Sequence, residues 1–248
     1  MSNMSIDESC IKLFVETIKN KDFLRFIESD GIPEKELDEA IECAVYLSYL
    51  DTCRTFRNNQ KKVKRDDKVI FKIVQSISNY IFGDDEFDHH GLCSSLIKDY
   101  GMTYGQAQKI INMTFKYIFC IKNFREKEEK FKKCHMPLDS IMLEWIVRNT
   151  TGIEKRRVGT WSSMEYKNDG QPEEKYAYVD YEKVINAYCL ENNTYPLKID
   201  FENWNKMKLV LSAEEFILSF KSEIKRRDLK EKTFDELISE IKNIIENV

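Results

Sequence analysis

Only eight glycines and four prolines interrupt 248 residues. A sandwich or barrel of many short strands needs turn signals roughly every 8–12 residues, far more punctuation than this chain carries. The scarcity of breakers therefore predicts long helices and an all-α fold. The rest of the composition agrees. Hydrophobic residues make up 42% and charged residues 33%, which is neither a disordered chain nor a membrane protein, and no uncharged apolar run approaches the ~18 residues of a membrane span. The start, Met1 to Glu8, lacks the basic opening and apolar run of a signal peptide. Seven cysteines, an odd number scattered mostly through apolar runs, read as reduced, buried side chains of a cytoplasmic protein.

Helical spacing recurs along the chain. Ser5-Ile6-Asp7-Glu8 has the form of a capping box and predicts a helix to about Lys19. Pro33 precedes a helix over 34–57, with Leu37, Ile41, Ala44, Leu47 and Leu50 on one face. Ile70, Ile73, Ile77 and Ile81 predict a helix over 67–82, and a shorter one over 91–100 ends at Gly101. The run Gly101–Gly105 reads as a tight turn between two helices, the second over 106–123. A lysine-rich connector (125–133) leads to a helix over 138–148. Helices are expected again over 179–191, 198–208, 213–229 behind Ser212-Ala213-Glu214-Glu215, and 233–247 behind Thr233-Phe234-Asp235-Glu236. Residues 150–178 are the least periodic, with a short strand expected over Val158 to Met164. One domain is expected over 1–248: N-terminal helices to residue 100, a core over 101–206, and C-terminal helices over 207–248.

Helix 106–123 is apolar around nearly its whole circumference, so it belongs in the middle of the fold. Yet Lys109, Asn112 and Lys116 fall within about 60° of one another and form a polar stripe. A lysine on a central helix either reaches solvent in a cleft or has its pKa lowered, and a neutral amine is a nucleophile. The other reading is a stem packed in the core with its ammonium snorkelling out. Asp139 follows an X-Pro turn at a helix start, where a carboxylate caps backbone N–H groups whether or not it does chemistry. Neither a zinc site nor another metal site is expected. Cys134-His135 are adjacent ligands without a spaced partner pair, and His89-His90 with Cys93 is no better. Dinucleotide and phosphate-loop glycine patterns and a nucleophile elbow are all absent, and no cofactor is expected.

Gln108-Lys109, Met113-Thr114-Phe115-Lys116 and, thirty residues after Lys109, Met136-Pro137-Leu138-Asp139 resemble the catalytic core of the archaeal 8-oxoguanine DNA glycosylases, a branch of the helix-hairpin-helix glycosylase superfamily. Tyr181-Glu182-Lys183-Val184 and the run from Tyr195-Pro196-Leu197 through Asp200 to Trp204 resemble that family's later helices in order and spacing. The resemblance covers about a third of the chain, over residues 101–149 and 180–206. It implies a helical fold with a cleft between two helical subdomains, and a DNA glycosylase with AP-lyase activity that excises an oxidised or otherwise modified base. It further implies that Lys109 is the nucleophile, Asp139 the catalytic carboxylate and Asp200 a contact to the flipped base. Met113 stands where the family places a base-stacking aromatic, and Pro137 belongs to the turn beside the base. Residues 1–100 contain no tryptophan and offer no counterpart to the family's N-terminal recognition residues. Lys116 either pairs with a carboxylate structurally or lines the cleft.

The implied partner is DNA, held at its backbone by Tyr104, Gly105 and Gln106 of the hairpin. The net charge of −4 confines binding to one basic face. Candidate basic clusters are Lys61-Lys62-Val63-Lys64-Arg65, Lys155-Arg156-Arg157 and Lys225-Arg226-Arg227, each equally readable as a solvated helix face or loop. The competing function is a helical nucleic-acid-binding protein that has lost the reaction. A helical nuclease or partner-binding protein is a third, for which Arg57-Asn58-Asn59 lacks the following histidine of a ribonuclease motif.

Overall fold

A computed structural model of the chain describes residues 5–54, 66–84, 86–168 and 174–226, with positions 236, 238, 239 and 242 beyond them. The cluster 61–65, Arg57-Asn58-Asn59, Arg227 and nearly all of the expected helix 233–247 lie outside the described residues. What is described is helical, with no strand among those residues.

The helices run α1 (Glu8–Val15), α2 (Lys21–Glu28), α3 (Leu37–Arg54), α4 (Asp67–Phe82), α5 (His89–Tyr100), α6 (Tyr104–Phe119), the short α7 (Lys122–Arg125) and α8 (Glu128–Phe131), α9 (Ser140–Asn149), α10 (Tyr178–Asn192) and α11 (Pro196–Arg226). Most start where a short polar side chain precedes an apolar stripe. Asp66 caps α4 by accepting from the Lys68 and Val69 amides, and Asp88 caps α5 through Gly91 N–H. The first helix is capped by Asp7, which accepts from Ser9 N–H, and not by Ser5. Helix α2, which no clear motif announces, is capped by Asn20 and buries Phe23 and Phe26.

The middle of the molecule is α6. Thr103 and Gln106 form a reciprocal capping box at its start, and nearly all of its side chains from Tyr104 to Phe119 are buried. Gly101 ends α5 in the left-handed region, at φ 66°, which closes the α5–α6 corner. Helix α3 lies along α6, α5 flanks its start, α1 meets α11, and α11 meets α9. The buried side chains form one continuous core from Ile6 to Met207.

Two expectations over the C-terminal half are corrected. Residues 158–164 are not a strand: Trp161–Ser163 form a 3₁₀ turn, with Ser163 and Met164 amides bonded back to Thr160 and Trp161 carbonyls. Single backbone bonds tie the flanks of this segment to 176–179, from Tyr176 N–H to the Arg157 carbonyl and from Tyr178 N–H to the Glu165 carbonyl, without forming a ladder. The helices expected over 198–208 and 213–229 form, as far as the described residues reach, a single helix to Arg226. No glycine or proline falls between Leu197 and Arg226, so the capping-box pattern at Ser212 does not stop the ladder.

The 3₁₀ segment is laid across the start of α6. Thr103 Oγ1 donates to the Ser162 carbonyl at 2.6 Å, and Gly105 N–H donates to the Met164 carbonyl at 3.0 Å. The approach requires glycine, since a Cβ at position 105 would lie 1.7 Å from the Trp161 carbonyl oxygen. Gly105→Ala is expected to push this segment off α6 and lower stability by about 1–3 kcal/mol, read as a drop of several degrees in a thermal melt.

A candidate active site around Lys109 and Asp139

A cavity of about 580 Å³ opens between α1, the α1–α2 loop, α3, α6 and α11. Its size falls within the roughly 300–1,000 Å³ of small-molecule sites. Lys109 and Asp139, the pair that the resemblance implies, both line it. Lys109 Nζ lies 3.9 Å from Asp139 Oδ2, and the two side chains are 12% and 11% exposed. The lysine thus reaches the cavity instead of ending in the core.

The local sequence explains why Asp139 is held so firmly. Pro137 sets an extended approach, Asp139 takes extended backbone angles, and its Oδ1 accepts from both Ile141 and Met142 amides at 3.0 Å as the N-cap of α9. The second oxygen accepts from Trp204 Nε1 on α11 at 3.1 Å. Capping and a catalytic position are therefore compatible, one oxygen for each. The segment before Asp139 is tied to α6 by buried amides. Gln108 donates to the Leu138 carbonyl and accepts from its N–H, and Asn112 donates to the Met136 carbonyl. The helix that carries the amine therefore also fixes the turn that carries the carboxylate.

Trp161, from the 3₁₀ segment, forms the other neighbour of Lys109, whose ammonium sits 4.3 Å from the ring centroid. In residues 150–178 the sequence offered only the basic cluster Lys155-Arg156-Arg157, yet Trp161 of that stretch supplies this contact. Trp204, Asp51, Tyr117, Lys19 and Lys208 also line the cavity without having been singled out as site residues. The exposed Lys19 and Lys208 place two solvated cations beside it.

The polar stripe on α6 splits. Lys109 and Lys116 both face the cavity, and Met113 lines it between them. Asn112 is fully buried on another side, bonded to Gln108, the Met136 carbonyl, Tyr178 Oη and His89 Nε2. Burial holds His89 neutral, its pKa pushed well below the usual value, where it stacks on His135 and Tyr178.

Five other expected positions lie outside the cavity wall. Asp200 does not line the cavity: it is completely buried and paired with Lys116 at 2.5 Å. Phe14, Phe201 and Trp204 rings surround that ammonium at 4.2, 5.2 and 5.2 Å. The resemblance implies that Asp200 touches the flipped base; in the structure its carboxylate is paired with Lys116, which also lines the cavity. Pro137 is buried and does not line the cavity. Tyr104 is buried against His89, Tyr166 and Tyr178, so its hydroxyl does not reach the surface. The amides of Gly105 and Gln106 already donate to Met164 and Thr103, and those of Gly101 and Thr103 to Ile97 and Gln106. A phosphate at this hairpin would have to displace bonds that hold the fold.

All seven cysteines are free thiols. Among the described residues no cluster of three or more His, Cys, Asp or Glu is placed to hold a metal ion. No helix among them is long and apolar enough to cross a membrane. Set against known protein families, curated proteins and solved structures, the chain finds no match.

Proposed function

We propose that the chain is a DNA glycosylase with AP-lyase activity, which flips an oxidised or otherwise modified base into the cavity and excises it through a Schiff base on Lys109. The observation that carries this reading is the juxtaposition of an amine and a doubly held carboxylate, 3.9 Å apart, in the wall of a cavity. A nucleotide must leave the stack before any group can reach its C1′. As the glycosidic bond lengthens, positive charge develops on the sugar. Asp139, fixed in place by the α9 amides and by Trp204 N–H, is preorganised to stabilise it.

The covalent step then balances as follows. The neutral amine of Lys109 forms a bond to C1′, and the C1′–N bond breaks with its electron pair leaving on the base. The base takes up a proton, and the amine gives one up, with Asp139 Oδ2 within reach as acceptor. The nitrogen lone pair then expels O4′, which takes up the proton that Asp139 received, and the resulting protonated imine acidifies C2′–H and permits β-elimination of the 3′ phosphate. Lys19 and Lys208 are the cations assigned to the DNA backbone, in place of the hairpin amides, since phosphate contacts need exposed positive charge.

The test is borohydride trapping of the imine. The protein is incubated with labelled duplexes carrying 8-oxoguanine or a bare abasic site, reduced, and run on a denaturing gel. A covalent band on the abasic duplex is expected. Its absence, with DNA still bound, would leave the non-catalytic binder as the better reading. Absence of both would remove DNA from the account.

A further inference from the structure

The amine of Lys109 has an aromatic ring behind it. Trp161 is 6% exposed and does not line the cavity, yet its ring centroid lies 4.3 Å from Lys109 Nζ. A sugar entering the cavity therefore meets the amine without contesting the space that the ring occupies. The 3₁₀ segment that carries the ring is clamped about one helical turn before the lysine. Thr103 Oγ1 donates to the Ser162 carbonyl, Gly105 N–H donates to the Met164 carbonyl, and a Cβ at position 105 would collide with the Trp161 carbonyl. The ring is thus fixed to the same helix as the amine.

Resting on the glycosylase reading, we infer that Trp161 is a catalytic residue of the lyase step, one that holds positive charge on the nitrogen joining Lys109 to the sugar. The face of an indole attracts a cation and does nothing comparable for a neutral nitrogen. Nζ alternates between the two states. It is an ammonium in the ion pair with Asp139, a neutral amine at attack, and a protonated imine once O4′ has left. Only the protonated imine is an electron sink. Asp139, ionised again after O4′ takes its proton, removes the proton from C2′. That electron pair forms the C1′–C2′ double bond, and the C1′–N π pair goes to nitrogen. The nitrogen then returns its pair, a C2′–C3′ double bond forms, and the C3′–O bond breaks with its electrons leaving on the phosphate. An unprotonated imine cannot enter this sequence. The other charges lining the cavity are Asp139, Lys116 with its partner Asp200, Asp51 on α3, and Lys19 and Lys208. All of them stay in place when the ring alone is removed.

The experiment follows strand cleavage of an abasic duplex under single turnover over about pH 5 to 9, with borohydride trapping in parallel. Wild type is expected to give a bell. Its acid limb rises as the amine loses the proton that blocks attack, and its alkaline limb falls as the imine loses the proton that makes it a sink. Trp161→Leu removes the attraction for charge in both states, so both limbs are expected to move to lower pH by about one unit. The variant is then about tenfold slower than wild type on the alkaline limb and faster on the acid limb. Trp161→Phe keeps a ring of weaker attraction and is expected to shift the bell less. The position of a bell is independent of the folded fraction. A bell that drops in height without moving, or one that does not change, overturns the assignment and leaves the ring a packing role. If Trp161→Leu does not fold, Trp161→Phe decides, and an unshifted bell there overturns it. Wild type that traps on the abasic duplex without cleaving it overturns the assignment while leaving the imine intact. Failure to trap overturns the underlying reading and this inference with it.

Discussion

Lys109→Gln is expected to abolish the trapped complex on both the abasic and the 8-oxoguanine duplex, a loss of at least about 10³-fold. Glutamine keeps the length and polarity of the side chain beside Trp161 but has no nucleophilic amine. A purely structural Lys109 would leave a trapped band in this variant. Asp139→Asn supplies the complementary measurement. Asparagine caps a helix about as well as aspartate, so the bonds from the Ile141 and Met142 amides survive, and so does the start of α9. What is removed is the negative charge beside Lys109, together with the acceptor for Trp204 Nε1, since the asparagine amide nitrogen only donates. Excision is expected to slow by about 10²–10³-fold, with stability lowered only by the roughly 1 kcal/mol of that one bond. A variant that loses activity and stability together would mean that the cap, and not the charge, was what mattered.

Of the two groups behind that prediction, a lysine on a helix apolar all round is conspicuous in one dimension, whereas an aspartate at a helix start reads first as a cap and was singled out through the resemblance. Helix α4 was equally legible, since the Ile70, Ile73, Ile77 and Ile81 spacing predicts it over 67–82 and the structure has it at Asp67–Phe82. The Ser212 pattern failed for the converse reason: a capping box marks a start only where the preceding helix has a cause to end, and none exists there. Trp161 could not be read at all. Its place beside Lys109 depends on bonds from Thr103 and Gly105, nearly sixty residues earlier in the chain, to a segment with no periodicity of its own. The pairing of Asp51 with Tyr117 is likewise long-range, across two helices that each look ordinary alone. Asp200 was placed through a resemblance, and the assignment missed Lys116 as its partner because spacing along a chain does not reveal which charges are buried together.

That buried pair carries the second large expectation. Lys116 and Asp200 are 2% and 1% exposed at their side chains, and aromatic rings crowd the ammonium. Removing one partner strands the other charge in the core. Asp200→Asn and Lys116→Met are each expected to destabilise the fold by about 3–5 kcal/mol, a fall of roughly 10 °C or more in melting temperature for a chain of this size. Replacing both, as Lys116→Met with Asp200→Leu, is expected to recover most of that loss, because a buried pair gains little over apolar groups of similar volume. The pair also predicts a pH dependence. Burial raises the Asp200 carboxyl from near 3.8 to about 6, against the opposing pull of the Lys116 ammonium. Between those values the folded chain holds a proton that the unfolded chain has lost, so this group's contribution to stability declines as pH rises through about 4 to 6. Asp200→Asn is expected to remove that decline, which chemical denaturation at a series of pH values measures directly. If the double substitution proves as damaging as either single one, the pair is needed for more than mutual neutralisation, and Lys116, which lines the cavity beside Met113, returns as a candidate for contact with the substrate.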